Sequence, residues 1–334
     1  MALFSTITPV PVQEQFAAFQ KAKPPAPGEI LRFEGVGDCD VYNPSVPFTL
    51  DGMTIIAGRV ERRGDEFSRA MFFTEHDGVW TPIEGAPVFE LQDPFVTFAG
   101  GELIFGGVYV EWEGTRAHWS TAFYRGHALH DLKPFAHGPA QMKDVRLLQL
   151  RDGRVAIFSR PQGEVMQQRF GCIAKIGFTI VDSLEAVTAE AVETAPLLFD
   201  HFLPDEWGGC NQLFELRNGL IGAIGHKSWG ETLVRTHGGA PEHVLHYYSM
   251  AFAVDPATRA MTPTKIIGSR DCFPPGPSKA PRLQDVTFTA GIVRHGDGTA
   301  TLYTGLSDCQ VGRLVIPDPL LEYEELEYEA LDRA

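Results

Sequence analysis

The chain has 334 residues, with a formal net charge of −15, 44% hydrophobic and 21% charged residues. That balance is ordinary for a globular protein, and its acidity excludes nucleic acid and anionic membrane surfaces as partners, because both require a basic footprint. The five cysteines are scattered without a CxxC pair, which argues against a disulfide framework and for a reducing, cytoplasmic setting. The N-terminus lacks a basic segment followed by an apolar run, so it does not read as a signal peptide. No apolar stretch approaches the roughly 20 residues of a membrane span.

In chain order, PVQEQFAAFQKA near the start has helical spacing. Five segments on one plan follow, with hairpins starting near residues 40, 91, 142, 208 and 283. Each opens on a polar residue: Asn43, Asp93, Asp144, Asn211 or Asp285. An apolar strand comes next, then a turn signal (Asp51-Gly52, Gly100-Gly101, Asp152-Gly153, Asn218-Gly219 or Asp297-Gly298), then a returning apolar strand. Apolar run, DG- or NG-type turn and apolar run is a strong hairpin signal. The leading residues recur at spacings of about 50 to 74 residues, against roughly 40–50 for a four-stranded propeller blade, so the later blades carry insertions. Further strand-like runs between the hairpins supply outer strands. VDSLEAVTAEAVE and the acidic C-terminal tail 320–334 read as helical surface elements, the tail prone to fray. The prediction is all-β: one five-bladed β-propeller domain over 1–334 with four-stranded antiparallel blades. A β-sandwich is the alternative, but it does not require five copies of one hairpin.

The hairpins also direct side chains. Asn43 and Arg59, Asp144 and Arg160, and Asn211 and His226 are each about 16 residues apart, one strand out and one strand back. Each pair falls at the same edge of its blade. Five blades aim Asn43, Arg59, Asp93, Asp144, Arg160, Asn211, His226, Asp285 and Asp308 at one funnel mouth, and that mix of carboxylates, cations and amides suits sugar hydroxyls. The bland alternative is that such residues only hydrate the channel or tie blades together. Trp112, Trp119, Trp207 and Trp229 are candidates for stacking on a sugar face, with core packing the alternative. DEWGGCN (205–211) is expected as a pocket-shaping loop. His237, His243 and His246 fit no common zinc spacing, so no metal is assigned. Cys39, Cys210 and Cys309 adjoin the polar positions, either as small buried hydrophobes or as one half of a Cys–His pair.

These residues carry a resemblance. Asn43-Pro44-Ser45 with Arg59, Gln92-Asp93-Pro94-Phe95, Arg160-Pro161, Ile224-Gly225-His226-Lys227 and Tyr303-Thr304-Gly305-Leu306-Ser307-Asp308 resemble, in order, the motifs of glycoside hydrolase family 130. That family comprises mannoside phosphorylases and hydrolases. The chain is also similar to a related, uncharacterised bacterial glycosidase-like group. The resemblance spans roughly residues 38 to 312. It implies a sugar subsite of Asn43, Ser45, Arg59, Asp93 and Asp308, with Asn211 and Asp285 further around the funnel. It implies Asp93 as general acid, and Asp308 or Asp144 as base if water is the nucleophile. It implies an anion site of Arg160, His226 and Lys227, with Arg146 a further cation nearby. The expected substrate is a small oligosaccharide or glycoside, with a β-mannoside as one candidate, split by inorganic phosphate or by water. No cofactor is implied, and no oligomeric state is signalled. Gln92 and Phe95 stand where the family has Glu and Arg. Phe95 cannot make a bidentate contact to an anion. A non-catalytic carbohydrate-binding or interaction propeller is the alternative reading.

Overall fold

The computed structural model describes residues 3, 7–22, 27–114, 116–198, 200–233 and 242–326. The chain is mostly β. Each predicted hairpin forms, because its turn supplies the left-handed backbone that closes a two-residue loop: Asp51 and Gly52, for example, have φ of 52° and 78°. Gln92–Ala99 pairs with Glu102–Glu113, and that strand with Arg116–Gly126 and then Lys133–His137. Lys143–Gln149, Val155–Arg160, Ile176–Val181 and Leu197–Leu198 form the next antiparallel group. Glu206–Glu215, Ile221–Leu233, Glu242–Val254 and Lys265–Gly268 form another. Before these, Cys39–Tyr42 and Phe48–Leu50 both pair with Met53–Arg62, which leads to Arg69–His76 and Val79–Pro82. After them, Asp285–Arg294, Thr299–Leu306 and Gln310–Pro317 are completed by the N-terminal strand Glu29–Ile30.

The apolar faces explain why these sheets follow one another around a centre. Phe48, Ile55 and Phe72 of the first group pack on Leu103 and Phe105 of the second. Phe95, Ile104 and Phe123 of the second pack on Val145, Leu147 and Ile157 of the third. Phe158 and Phe178 meet Met250 and Phe252, and Ile224 and Ala251 meet Ile292 and Leu302. Val311 and Tyr303 of the last group meet Val41, Ile56 and Phe73 of the first, which closes the series. Each buried aromatic or branched side chain contributes about 1.5–3 kcal/mol.

The helix predicted near the start runs from Val12 to Lys21. It packs on the fourth group, with Phe16 stacked on Tyr248 at 4.3 Å. VDSLEAVTAEAVE holds only a short turn and the helix Ala189–Glu193, whose Val192 packs into a core. A helix the sequence pattern did not signal, Glu164–Phe170, sits between Val155–Arg160 and Ile176–Val181. The described part of the tail is anchored, contrary to expectation: Tyr323 is fully buried and donates to the Ala251 carbonyl, and Glu324 is paired with Arg294. Residues 327–334 of that tail, and His237 with its GGAP turn, lie outside the described residues. No described helix is long and apolar enough to cross a membrane.

Candidate active site

The inner strand of several groups is broken by a bulge, at the first residues of Gln92–Ala99 and Lys143–Gln149 and in the middle of Glu206–Glu215 and Asp285–Arg294. The pairing register shifts between Gln92 and Phe95, Lys143 and Arg146, Cys210 and Gln212, and Thr289 and Gly291. Asp93 and Asp144 sit at the first two of these breaks, and Asn43 in the gap between Cys39–Tyr42 and Phe48–Leu50, with φ of 49°, 52° and 41°. Asn and Asp tolerate that left-handed backbone better than other non-glycine residues, and a bulge turns a side chain off the strand's own face. Asp308 has φ of 53° in the turn between Thr299–Leu306 and Gln310–Pro317. These four side chains, with Arg59 and Arg160, line one cavity of about 230 Å³. Lys143, Tyr247 and Arg282, none of them singled out from the sequence, line it too.

One side of the cavity is a carboxylate cluster held by cations. Asp93 Oδ1 accepts from Asn43 Nδ2 at 2.9 Å and Arg59 Nη1 at 3.1 Å. Arg59 also pairs with Glu61 at 2.8 Å and Glu66 at 3.3 Å. Lys279 bridges Glu61 and Glu66, and Tyr42 donates to Glu61 at 2.7 Å. Burial would raise the Glu61 carboxyl, but Arg59 and the donors from Lys279, Ser68 and Tyr42 outweigh it and hold it below its usual value. Asp308 goes the other way. Burial pushes it above the usual carboxylate range, Arg59 opposes the rise, and Asp93 adds to it.

The other side is cationic. Lys143 and Arg160 are direct cross-strand partners. Arg160 is paired with Asp144 at 3.0 Å, and its Nε is buried without a hydrogen-bond partner. Lys143 Nζ lies over the Trp119 ring at 5.6 Å. Burial lowers the Lys143 pKa, with Asp93 opposing and Arg160 and Arg59 reinforcing the fall. Asp144 is held below the usual range: burial raises it, but Arg160, His226, Arg146 and Lys143 together prevail. Gly209 permits this packing, since a Cβ there would stand 2.8 Å from Asp144 Oδ2. His226 is fully buried behind Arg160, 3.3 Å from its Nη1, with Nδ1 2.8 Å from Asn211 Oδ1. Burial lowers its pKa to about 4 despite the nearby Asp144. A neutral ring that donates from Nδ1 and accepts at Nε2 satisfies both contacts. Asn211 and His226 therefore support Arg160 from behind the cavity wall.

Three expected site residues are placed elsewhere. Lys227 follows His226 on one strand, so it faces the opposite side; its Nζ binds Glu206 at 3.1 Å and the Val10 carbonyl at 2.8 Å, with none of it exposed. Asp285 begins a strand whose register shifts only further along, between Thr289 and Gly291, and whose Val286 and Phe288 take the cavity face. Its carboxylate instead accepts from Tyr248 at 3.1 Å and sits 2.6 Å from His246 Nδ1. Ser45 is spent on the strand break: its Oγ accepts from the Ala57 amide at 3.0 Å and donates to the Val46 carbonyl. The expected loop 205–211 is largely strand, Glu206–Glu215, and its Trp207 donates to the Tyr247 hydroxyl at 3.0 Å. Cys210 is buried, which raises its thiol, and burial likewise pushes Cys309 up to about 11, so neither serves as a ready thiolate. Phe95 has acquired an arginine after all, since Arg146 from the next group lies 4.0 Å over its ring.

A propeller-like β fold around a cavity walled by carboxylates on one side and cations on the other defines a carbohydrate-active enzyme. The chain belongs to the family described as a protein of unknown function (DUF1861), matched over residues 17–322. It is 38% identical to a mannose phosphorylase from Leishmania mexicana solved in complex with phosphate ion, with a TM-score of 0.83 and 94% of each chain covered. It is 35% identical to a GDP-Man-dependent mannosyltransferase from the same organism, with a TM-score of 0.82 and 93% of this chain and 95% of that one covered. A β-1,2-mannobiose phosphorylase from Listeria innocua shares the fold at a TM-score of 0.59 and 14% identity, over 86% of this chain and 93% of that one. No curated protein matches the chain in sequence.

Proposed function

We propose that the protein is a mannoside phosphorylase built as one five-bladed propeller of four-stranded blades, with inorganic phosphate as co-substrate. The observation that carries this reading is the cross-strand pair Lys143 and Arg160 in the cavity wall. Like charges directly opposite on a sheet are destabilising, Asp144 neutralises only one of them, and an anion between them relieves the rest. Exposed Arg282 stands at the mouth as a third cation.

In the proposed reaction phosphate lies against Lys143 and Arg160. The mannosyl ring sits between it and Asp93, within reach of Asn43, Arg59 and Asp308. A phosphate oxygen attacks the anomeric carbon as the bond to the leaving sugar breaks, and the Asp93 proton passes to the departing oxygen. A β-mannoside then gives α-mannose 1-phosphate by inversion. Hydrolysis fits less well. It needs a base on the face opposite the acid; Asp144 is ion-paired and held at low pKa, and Asp308 stands with Arg59 and Asn43 beside the proposed acid Asp93.

Mannosyl transfer from GDP-mannose is the second reading, on the strength of the relative at 35% identity. Against it, the larger groove beside the cavity carries Asp38, Asp65, Glu66 and Glu90, a wall that repels a nucleoside diphosphate. Incubation with β-1,2-mannobiose and phosphate, followed by ³¹P NMR, tests the proposal. Formation of mannose 1-phosphate supports it. Release of mannose without phosphate uptake, or product only with GDP-mannose, overturns it.

A further inference from the structure

The catalytic cavity, at about 230 Å³, is smaller than the roughly 300–1,000 Å³ of ligand pockets in general. It does not hold an oligosaccharide by itself. A second depression of about 540 Å³ opens directly beside it, and Glu66 and Gln92 line both. Gln92 immediately precedes Asp93, so the groove adjoins the proposed acid and not the cationic wall of Lys143 and Arg160. In an inverting displacement the nucleophile and the leaving group occupy opposite faces of the ring, and the acid stands on the leaving-group side. The groove therefore lies where the leaving group and anything attached to it must go.

Its chemistry fits a neutral polyhydroxyl chain. Carboxylates along the wall accept hydroxyl protons; of the two arginines that line it, Arg62 is occupied by Asp38 at 3.2 Å and Arg69 is an exposed donor for a hydroxyl oxygen. Its rim carries two exposed aromatics, Phe67 at 73% and Trp112 at 41% exposure, with ring centroids 6.2 Å apart. Large apolar side chains left side by side in water at the edge of a polar groove mark a contact surface, and an aromatic ring with a polar rim suits the apolar face of a pyranose.

Building on the phosphorylase reading, we infer that this groove binds the leaving-group end of a mannooligosaccharide, with Trp112 and Phe67 as a stacking platform. The enzyme thus prefers chains longer than a disaccharide. The test compares kcat/KM for phosphorolysis of β-1,2-mannobiose and β-1,2-mannotetraose in the parent protein, Trp112→Ala and Phe67→Ala. Both side chains are exposed, so folding is not at stake, and a circular dichroism melt confirms it. The expected result is a parent preference for the tetrasaccharide that falls about tenfold in Trp112→Ala. Calorimetry on Asp93→Asn, with and without Trp112→Ala, reads binding of the tetrasaccharide apart from turnover, with the same loss expected. Turnover of both substrates with a preference unmoved by either aromatic variant overturns the groove and leaves the active-site reading standing. Absence of turnover and of binding for every mannoside overturns that reading, and the groove with it.

Discussion

Asp93→Asn isolates the proposed acid with little structural disturbance. The amide keeps the shape of the carboxylate and an oxygen for Asn43 Nδ2 and Arg59 Nη1, now 2.9 and 3.1 Å away. Removing one partner of a buried ion pair usually costs about 3–5 kcal/mol, because it strands a charge. Here Arg59 is not stranded, since Glu61 at 2.8 Å and Glu66 at 3.3 Å remain. The cluster also pits Arg59 and Lys279 against Glu61, Glu66 and Asp93, so losing one negative charge brings it closer to balance. Folding stability should therefore change by no more than about 1 kcal/mol. Catalysis should change far more. A positioned general acid is worth about 10²- to 10⁴-fold, and kcat on β-1,2-mannobiose should fall by that amount. The phosphate KM should not rise, because a negative charge beside an anion site has been removed. A dinitrophenyl mannoside, whose leaving oxygen needs no proton, should recover most of the lost rate. Asp308 also loses the neighbour that raises it, so any pH–rate limb reporting Asp308 should move to lower pH. Steady-state kinetics on both substrates, with a urea melt of each protein, make the measurement. A loss below tenfold, or one equally deep with the activated substrate, would refute Asp93 as the acid.

The remaining predictions address the cationic wall, the excluded lysine and acid stability. Lys143→Met should raise the phosphate KM about tenfold or more with little loss of stability, as it removes a contact with the Trp119 face and a cation near Asp93 and Asp144 but also the like-charge neighbour of Arg160; an unchanged phosphate KM would count against the anion site. Lys227→Met should leave the phosphate KM alone but cost up to about 3–5 kcal/mol in urea unfolding, because buried Glu206 loses its cation and keeps only the Val12 and Leu203 amides against its charge; adding Glu206→Gln should restore part of it. His226 and His201 have pKa values lowered by burial to about 4 and about 3, against roughly 6.5 in the unfolded chain. The unfolded state therefore binds more protons below pH 6.5, and the stability these residues contribute above that pH is lost as pH falls toward 4. Each contributes a slope of up to about 1.4 kcal/mol per pH unit. His246 has the opposite sign, since its carboxylate partners outweigh burial and raise it, but it stands alone against two. Urea midpoints should drop between pH 7 and 5, and His226→Gln should flatten the slope; equal midpoints would sink the assignment.

How far the site was legible in the sequence depends on one local feature. The repeat of apolar run, DG- or NG-type turn and apolar run located the five hairpins, because turn chemistry is read from a few adjacent residues. The cavity side chains follow a subtler rule. Asn43, Asp93 and Asp144 reach it from left-handed backbone at strand breaks, and each is Asn or Asp, types that accept that conformation. Asp285 has the same residue type at the same place in the repeat, but its strand breaks register only later, between Thr289 and Gly291, and its side chain points to His246. A break that depends on how two strands come into register is a tertiary property, so residue type alone did not separate Asp285 from the others. The same phase rule placed His226 behind the cavity wall and sent Lys227 to the other face.

Lys143 was overlooked for a related reason. Strict alternation would send a residue adjacent to a cavity-facing Asp144 away from the cavity. The bulge between Lys143 and Arg146 suspends that alternation and turns both neighbours inward. Lys143 thereby becomes the partner opposite Arg160, and a ladder position that would ordinarily be unfavourable becomes half of the proposed phosphate clamp. The lysine assigned from the linear motif, Lys227, and the lysine assigned from the fold, Lys143, thus make opposite forecasts for one measurement. The clamp stands or falls on whether the phosphate KM follows Lys143→Met while ignoring Lys227→Met.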